Sequence, residues 1–180
     1  MNTALVPQQN KKSLLATVAS RFEMEPVAFL ETIKQTCFPR TKDGKEATNE
    51  QVAAFLAVAQ QYDLNPFTRE IYAFPAKSGG IHPIVSIDGW VKIVNSHPDL
   101  DGFEFEDIVD ANKLIAVTCI QHRKSRVGRP VRVTEWMNEC YRETEPWKQM
   151  PSRMLRHKSF KESARYAFGF AGITDEDEAR

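Results

Sequence analysis

Apolar residues recur at helical spacing in "SLLATVASRF" and "PVAFLETIKQTCF", and Pro26 stands where proline suits a first helical turn. Val52, Phe55, Leu56 and Ala59 of "EQVAAFLAVAQQY" form one apolar face, with Thr48 and Asn49 placed to cap it. The period then shortens. "EIYAFPA" and "IHPIVSI" are short and β-rich, and the intervening "KSGG" predicts a hairpin. "DGWVKIVNSHP" predicts a brief helix stopped at Pro98. "GFEFEDIVD", "KLIAVTCIQHR" and "RPVRVTEW" predict three antiparallel strands joined by "DAN" and "KSRVG", followed by a long helix from about Pro151. Residues 1–12 are expected to be a flexible arm, "PRTKDGKEA" a polar loop, and residues 13–180 a single domain. Helices, hairpin, short helix, meander and long basic helix, in that order, define an α+β fold with helices packed on antiparallel sheet.

The chain of 180 residues is long enough to bury a core, and 42% apolar with 27% charged residues is ordinary for a globular protein. Lys plus Arg equals Asp plus Glu at 24 each, so net charge argues for no partner. Its distribution does. "DLDGFEFEDIVD" at 99–110 holds six acids and no base, whereas residues 121–166 hold twelve bases against five acids. Segregation of this kind is expected to set up a field that steers a polyanion to one surface. Three cysteines without CxxC spacing suggest neither a disulfide framework nor a zinc site. There is no signal-peptide core and no run of about 18 apolar residues, so the expectation is a cytoplasmic protein without a membrane partner.

Most catalytic chemistries find no motif. Gly44-Lys45 lies in a polar loop and lacks the GxxxxGK(S/T) pattern of a phosphate cradle. His82, His97, His122 and His157 are scattered, without paired-ligand spacing, and no GxSxG elbow occurs. Metal-dependent nuclease chemistry is the enzymatic alternative, yet Asp110 to Lys113 is one residue longer than the acid-x-Lys such sites use. The acids of 99–110 fit a solvated strand edge or a subunit contact better. No catalytic or metal-ligating residue is assigned.

The basic region is the stronger signal. "RMLRHKSFKESAR" carries Arg153, Arg156, Lys158, Lys161 and Arg165 with Glu162 as its single acid. On a helical wheel Lys158, Lys161 and Arg165 fall within about 60° of one another. Phe160, Ala164, Ala167 and Ala171 take the opposite arc and are expected in the core. The stripe therefore reads as a cationic ridge, with Arg153 and Arg156 directed elsewhere from the helix start. "HRKSRVGRPVR" forms a second basic cluster at a strand turn. Trp147, Tyr72 and Phe67 lie among the basic segments, as single-strand binding by stacking and backbone charge would want. Trp90 and Trp136 sit on apolar runs and are expected in the core. Without a base-reading motif, binding by phosphate contact, strongly salt-dependent and sequence-tolerant, is the inference.

Three long blocks, "QYDLNPFTREIYAFPAKSGGIHPIVSIDGW", "VTEWMNEC" and "RMLRHKSFKESARYAFGFAGITDEDEA", closely resemble the RecT/Bet family of single-strand annealing proteins. The resemblance implies an ATP-independent, non-enzymatic protein of phage recombination. It would bind single-stranded DNA, pair it with a complementary strand, hold the annealed intermediate and assemble into rings or helical filaments. It implies backbone contacts from Arg69, Lys77, Lys124, Arg153, Lys158 and Arg165, to which the charge pattern adds Arg156 and Lys161. Where members carry a further lysine before Arg153, this chain has Ser152. No cofactor is implied, magnesium entering only through a non-specific effect on annealing. Members with a C-terminal domain recruit a phage exonuclease and the host single-strand binding protein. This chain stops at Arg180, so that domain is expected to be absent. A metal-dependent nuclease and a passive single-strand binder remain the alternatives.

Overall fold

The computed structural model describes residues 13–38, 46–75 and 81–174; the arm, most of the polar loop and the hairpin turn lie outside them. Three helices open the chain: α1 (Leu14–Ser20), α2 (Pro26–Cys37) and α3 (Asn49–Gln61). Pro26 sits in the first turn of α2. Thr48 closes a reciprocal capping box on α3, its hydroxyl accepting from the Gln51 N–H at 3.3 Å while the Gln51 side chain accepts from the Thr48 N–H at 2.9 Å. Val52, Phe55, Leu56 and Ala59 are all buried, as their spacing predicts.

Strands β1 (Ile71–Pro75) and β2 (Ile81–Val85) form a two-stranded antiparallel sheet, and α4 (Ile87–Ser96) follows directly, capped by the Ser86 hydroxyl. Strands β3 (Leu100–Asp110), β4 (Lys113–Arg123) and β5 (Val131–Trp136) form a separate meander with β4 at its centre. The β3–β4 turn has two residues, Ala111 (φ 45°) and Asn112 (φ 62°), the left-handed pair that matches the natural twist of a hairpin. The predicted "DAN" turn is thus borne out, and the fold is α+β. Two short helices that the pattern did not announce, α5 (Met137–Cys140) and α6 (Glu145–Gln149), fill the connection to α7 (Pro151–Phe168). Four or five residues are too few to display a helical period.

Helix α7 crosses one face of the meander. Phe160 meets Phe103 edge-on at 4.9 Å, and the buried Gln121 side chain donates to the Ser163 hydroxyl at 3.2 Å. Burying a phenyl group of this kind contributes about 2–3 kcal/mol. Leu155 joins Val117, Cys140 and Trp147 in a small second core. Ala164 and Ala167 are buried as expected, but Ala171 is exposed, because the helix ends at Phe168 and Gly169 reverses the chain at φ 72°. No described helix is long and apolar enough to cross a membrane.

The opposite face of the meander carries no helix among the described elements. There Glu104, Glu106, Arg132 and Trp136 lie across Ala116, Thr118 and Ile120, which are nevertheless buried. Trp136 is 42% exposed, so the expectation that it packs in the core is corrected: its register puts it on this outer face, whereas Trp90 is fully buried.

Gly89 permits a close approach between α4 and the loop before β1. A Cβ there would stand 2.2 Å from the Glu70 carbonyl oxygen, which accepts from the Ser86 N–H at 3.1 Å. Gly89→Ala is therefore expected to destabilise the protein by about 1–3 kcal/mol, read as a lower urea midpoint with unchanged slope.

Candidate nucleic-acid interface

Arg69 lies in a tight loop between α3 and β1. The Asn65 carbonyl accepts from the Glu70 N–H at 3.2 Å, its side-chain oxygen accepts from the Phe67 N–H at 2.9 Å, and the Glu70 carboxylate accepts from the Asn65 N–H at 2.7 Å. Lys92 braces the loop from α4, its ammonium donating to Glu70 Oε2 at 2.8 Å and to the Asp63 carbonyl at 2.6 Å. Phe67 is anchored edge-on against Phe22 and Phe29, which leaves it half in the core. The exposed Arg69 adopts φ 61°, a left-handed conformation that costs an L-residue about 1–2 kcal/mol and that this network sustains.

Lys124 opens the β4–β5 connection, whose tip also exposes Arg126, Val127 and Arg129. Asp99 holds this tip to the end of α4. Its carboxylate accepts from Arg123 Nε at 2.7 Å, the Ser125 hydroxyl at 2.6 Å and the Ser125 N–H at 2.7 Å, and the Lys124 ammonium donates to the Pro98 carbonyl at 3.3 Å. These bonds, those from Ser125 first and Arg123 next, lower the Asp99 pKa to about 2.

Helix α7 departs most from the wheel. Arg153 is exposed, and among the described residues no carboxylate pairs with it. Arg156 is half-exposed and bound to Asp107 at 2.6 Å. Lys158 is partly covered. Lys161 is only 9% exposed, which corrects the expected solvent ridge. Arg165 donates to Glu162 and to the Ile173 carbonyl, each at 2.8 Å, and its guanidinium stands 5.4 Å above the Trp90 ring, so it clips the segment after α7 to α4. Burial, then Lys161 and Arg153, lower the His157 pKa against the opposing pull of Asp88. Lys77 lies outside the described residues.

One element connects these parts. The Arg69 loop rests on Ser86, Gly89 and Lys92; Arg165 covers Trp90; Asp88 faces the His157 region; and the Lys124 tip is tied at Pro98 and Asp99. Helix α4 thus positions three chain-distant basic segments. Sequence reasoning read it as a brief amphipathic helix and missed that role, as it missed Arg126 and Arg129 individually within the "KSRVGR" cluster.

The charge segregation seen along the chain is largely cancelled in space. Asp99, Glu106 and Asp107 pair with Arg123, Arg132 and Arg156, and Glu104 hydrogen-bonds His122 at 2.8 Å. Three acids of β3 are thereby parted onto both faces of the strand, Glu104 and Glu106 on one and Asp107 on the other, each against a basic partner. Among the described residues no group of three His, Cys, Asp or Glu is arranged to hold a metal ion. Burial raises the Cys119 thiol to about 11, and burial reinforced by Glu135 raises Cys140 to about 12.

The sequence that builds this frame matches a known family. The RecT family model covers residues 27–180. The chain is 43% identical over 189 residues to the recombination protein bet of Escherichia phage lambda, spanning 99% of this chain and 67% of that protein. The chain belongs to the RecT family.

The Asp99 knot has a pH signature. Its folded pKa of about 2 lies below the ordinary 3.8, so the stability it supplies is complete above pH 4 and is lost as pH falls toward 2. Urea midpoints measured between pH 5 and about 2 should fall less steeply for Asp99→Asn than for the parent, and the substitution should weaken the midpoint at pH 7.

Proposed function

We propose that this protein binds single-stranded DNA through its phosphate backbone and pairs complementary strands in phage-type recombination, without ATP and as a ring or helical oligomer. The observation that carries this reading is the 43% identity, over 99% of the chain, to a phage recombination protein. The exposed cations Arg69, Lys124, Arg126, Arg129 and Arg153, held on the α4 frame, supply the chemistry. They would offset repulsion between strands by displacing counterions, and contacts to phosphate leave base edges free to test a partner. Correct pairing then contributes about 1.4 kcal/mol per step and is downhill unaided. An oligomer would multiply weak contacts along the strand into retention of the new duplex. The protein so described acts stoichiometrically in the bacterial cytoplasm and needs no cofactor, and magnesium would act only by screening.

A metal-dependent nuclease is disfavoured by the ion pairs that occupy Asp99, Glu106 and Asp107. A passive single-strand binder is the remaining alternative. Labelled complementary strands mixed with protein, without ATP and with or without magnesium, separate the three. Pairing faster than the protein-free control is the expected result; shortened strands indicate a nuclease, and binding without acceleration indicates a passive binder. Lys124→Ala and Arg153→Ala should each weaken binding of every sequence and reduce the slope of log affinity against log salt by about 1. Unchanged slopes in both would remove these residues from the interface.

A further inference from the structure

A cleft of about 330 Å³ opens between α4, β3 and α7. Its walls are Ile87 and Val91 of α4, Phe103 and Phe105 of β3, and Phe160 of α7. Three aromatic rings and two branched aliphatic side chains make it apolar, and Phe105 remains 38% exposed within it. Arg153, Arg156 and His157, from the first two turns of α7, complete the lining. Arg153 carries a guanidinium without a described carboxylate partner, and Asp107 fixes the Arg156 guanidinium at 2.6 Å. An apolar space of this size with cations at one side fits a ligand that joins a flat apolar ring to an anion.

We propose that the cleft receives one unstacked nucleobase of a bound single strand per subunit, while Arg153 holds the neighbouring phosphate and Asp107 keeps Arg156 in place as part of the wall. The proposal rests on the single-strand binding reading above and adds to it a site for a base. Phenyl rings accept any base face, and the Asp107 carboxylate is engaged with Arg156, so the site selects a base without selecting which base. Charge disfavours a second copy of the chain as occupant. Val127, 88% exposed, is the most protruding apolar side chain at the β4–β5 tip, but Arg126 and Arg129 flank it and would meet Arg153 and Arg156. A held base would leave the pairing register until a complementary strand draws it out.

Equilibrium binding of a thymidine oligonucleotide and of an abasic strand with the same number of phosphates tests this, each over a salt series. The parent protein should bind the abasic strand about tenfold more weakly, with the same salt slope. Phe105→Ala, which empties the cleft, and Val91→Phe, which fills it, should bind both strands alike with unchanged slope. Equal affinity of the parent for the two strands overturns the proposal, as does discrimination that survives in both folded variants. Altered sedimentation of the variants with discrimination intact assigns the cleft to contact between copies, and also overturns it. Should the variants not fold, permanganate oxidation of thymines in the parent complex decides. Periodic protection supports the site and uniform reactivity overturns it. Failure of the parent to bind any strand would instead sink the phosphate-binding reading.

Discussion

Burial of β4 on both faces is the constraint on which the rest of this structure depends. Residues 116–121 are all buried, although the described elements set a helix against only one side. On that side α7 must lie close, so its small and polar positions Ser159, Ser163 and Ala164 face the sheet and Gln121 finds Ser163 as a partner. On the other side long side chains from β3 and β5 take the place of a layer, with Glu106 and Arg132 joined above a Thr118–Thr134 hydroxyl contact of 2.7 Å. Cross-strand pairs of this sort add little individually, yet they specify register, because a slip of one residue would exchange the two faces.

That arrangement explains the electrostatics. Exposed ion pairs contribute modestly to stability, about 0–1 kcal/mol each, so the pairing of Asp99 and the β3 acids with β4, β5 and α7 bases is better understood as allocation of charge. It neutralises Arg123, Arg132 and Arg156 and leaves the cations at loop tips and at the helix start facing solvent. An unpaired cation on a braced loop is available to a phosphate; one already bound to a carboxylate must first give up its partner. Helix α4 and the Pro98–Asp99 segment just after it hold the exposed ones on one frame, since the Arg69 loop and α7 are fastened to the helix and the Lys124 tip to that segment.

Much of the fold was legible along the chain. The three opening helices, the hairpin, the meander with its "DAN" turn and the long terminal helix follow from period, caps and turn residues. The Thr48 capping box and the buried face of α3 were readable because each is a local pattern of a few residues. The charged stripe of α7 misled for the opposite reason. A wheel orders side chains around an axis but does not know how many neighbours the helix has. Lys161 is covered and Arg165 is clipped to Glu162, Ile173 and Trp90.

The sequence by itself determined which of the longer segments would be helix or strand, where basic residues gather, and the family to which those blocks belong, since all three reside in residue order. Only the tertiary structure decided which cations remain exposed, that the acids of β3 quench their basic neighbours, and that an aromatic cleft opens beside Arg153. Those outcomes depend chiefly on contacts between residues far apart in the chain, set by the common burial of β4 and α4. No local period encodes them.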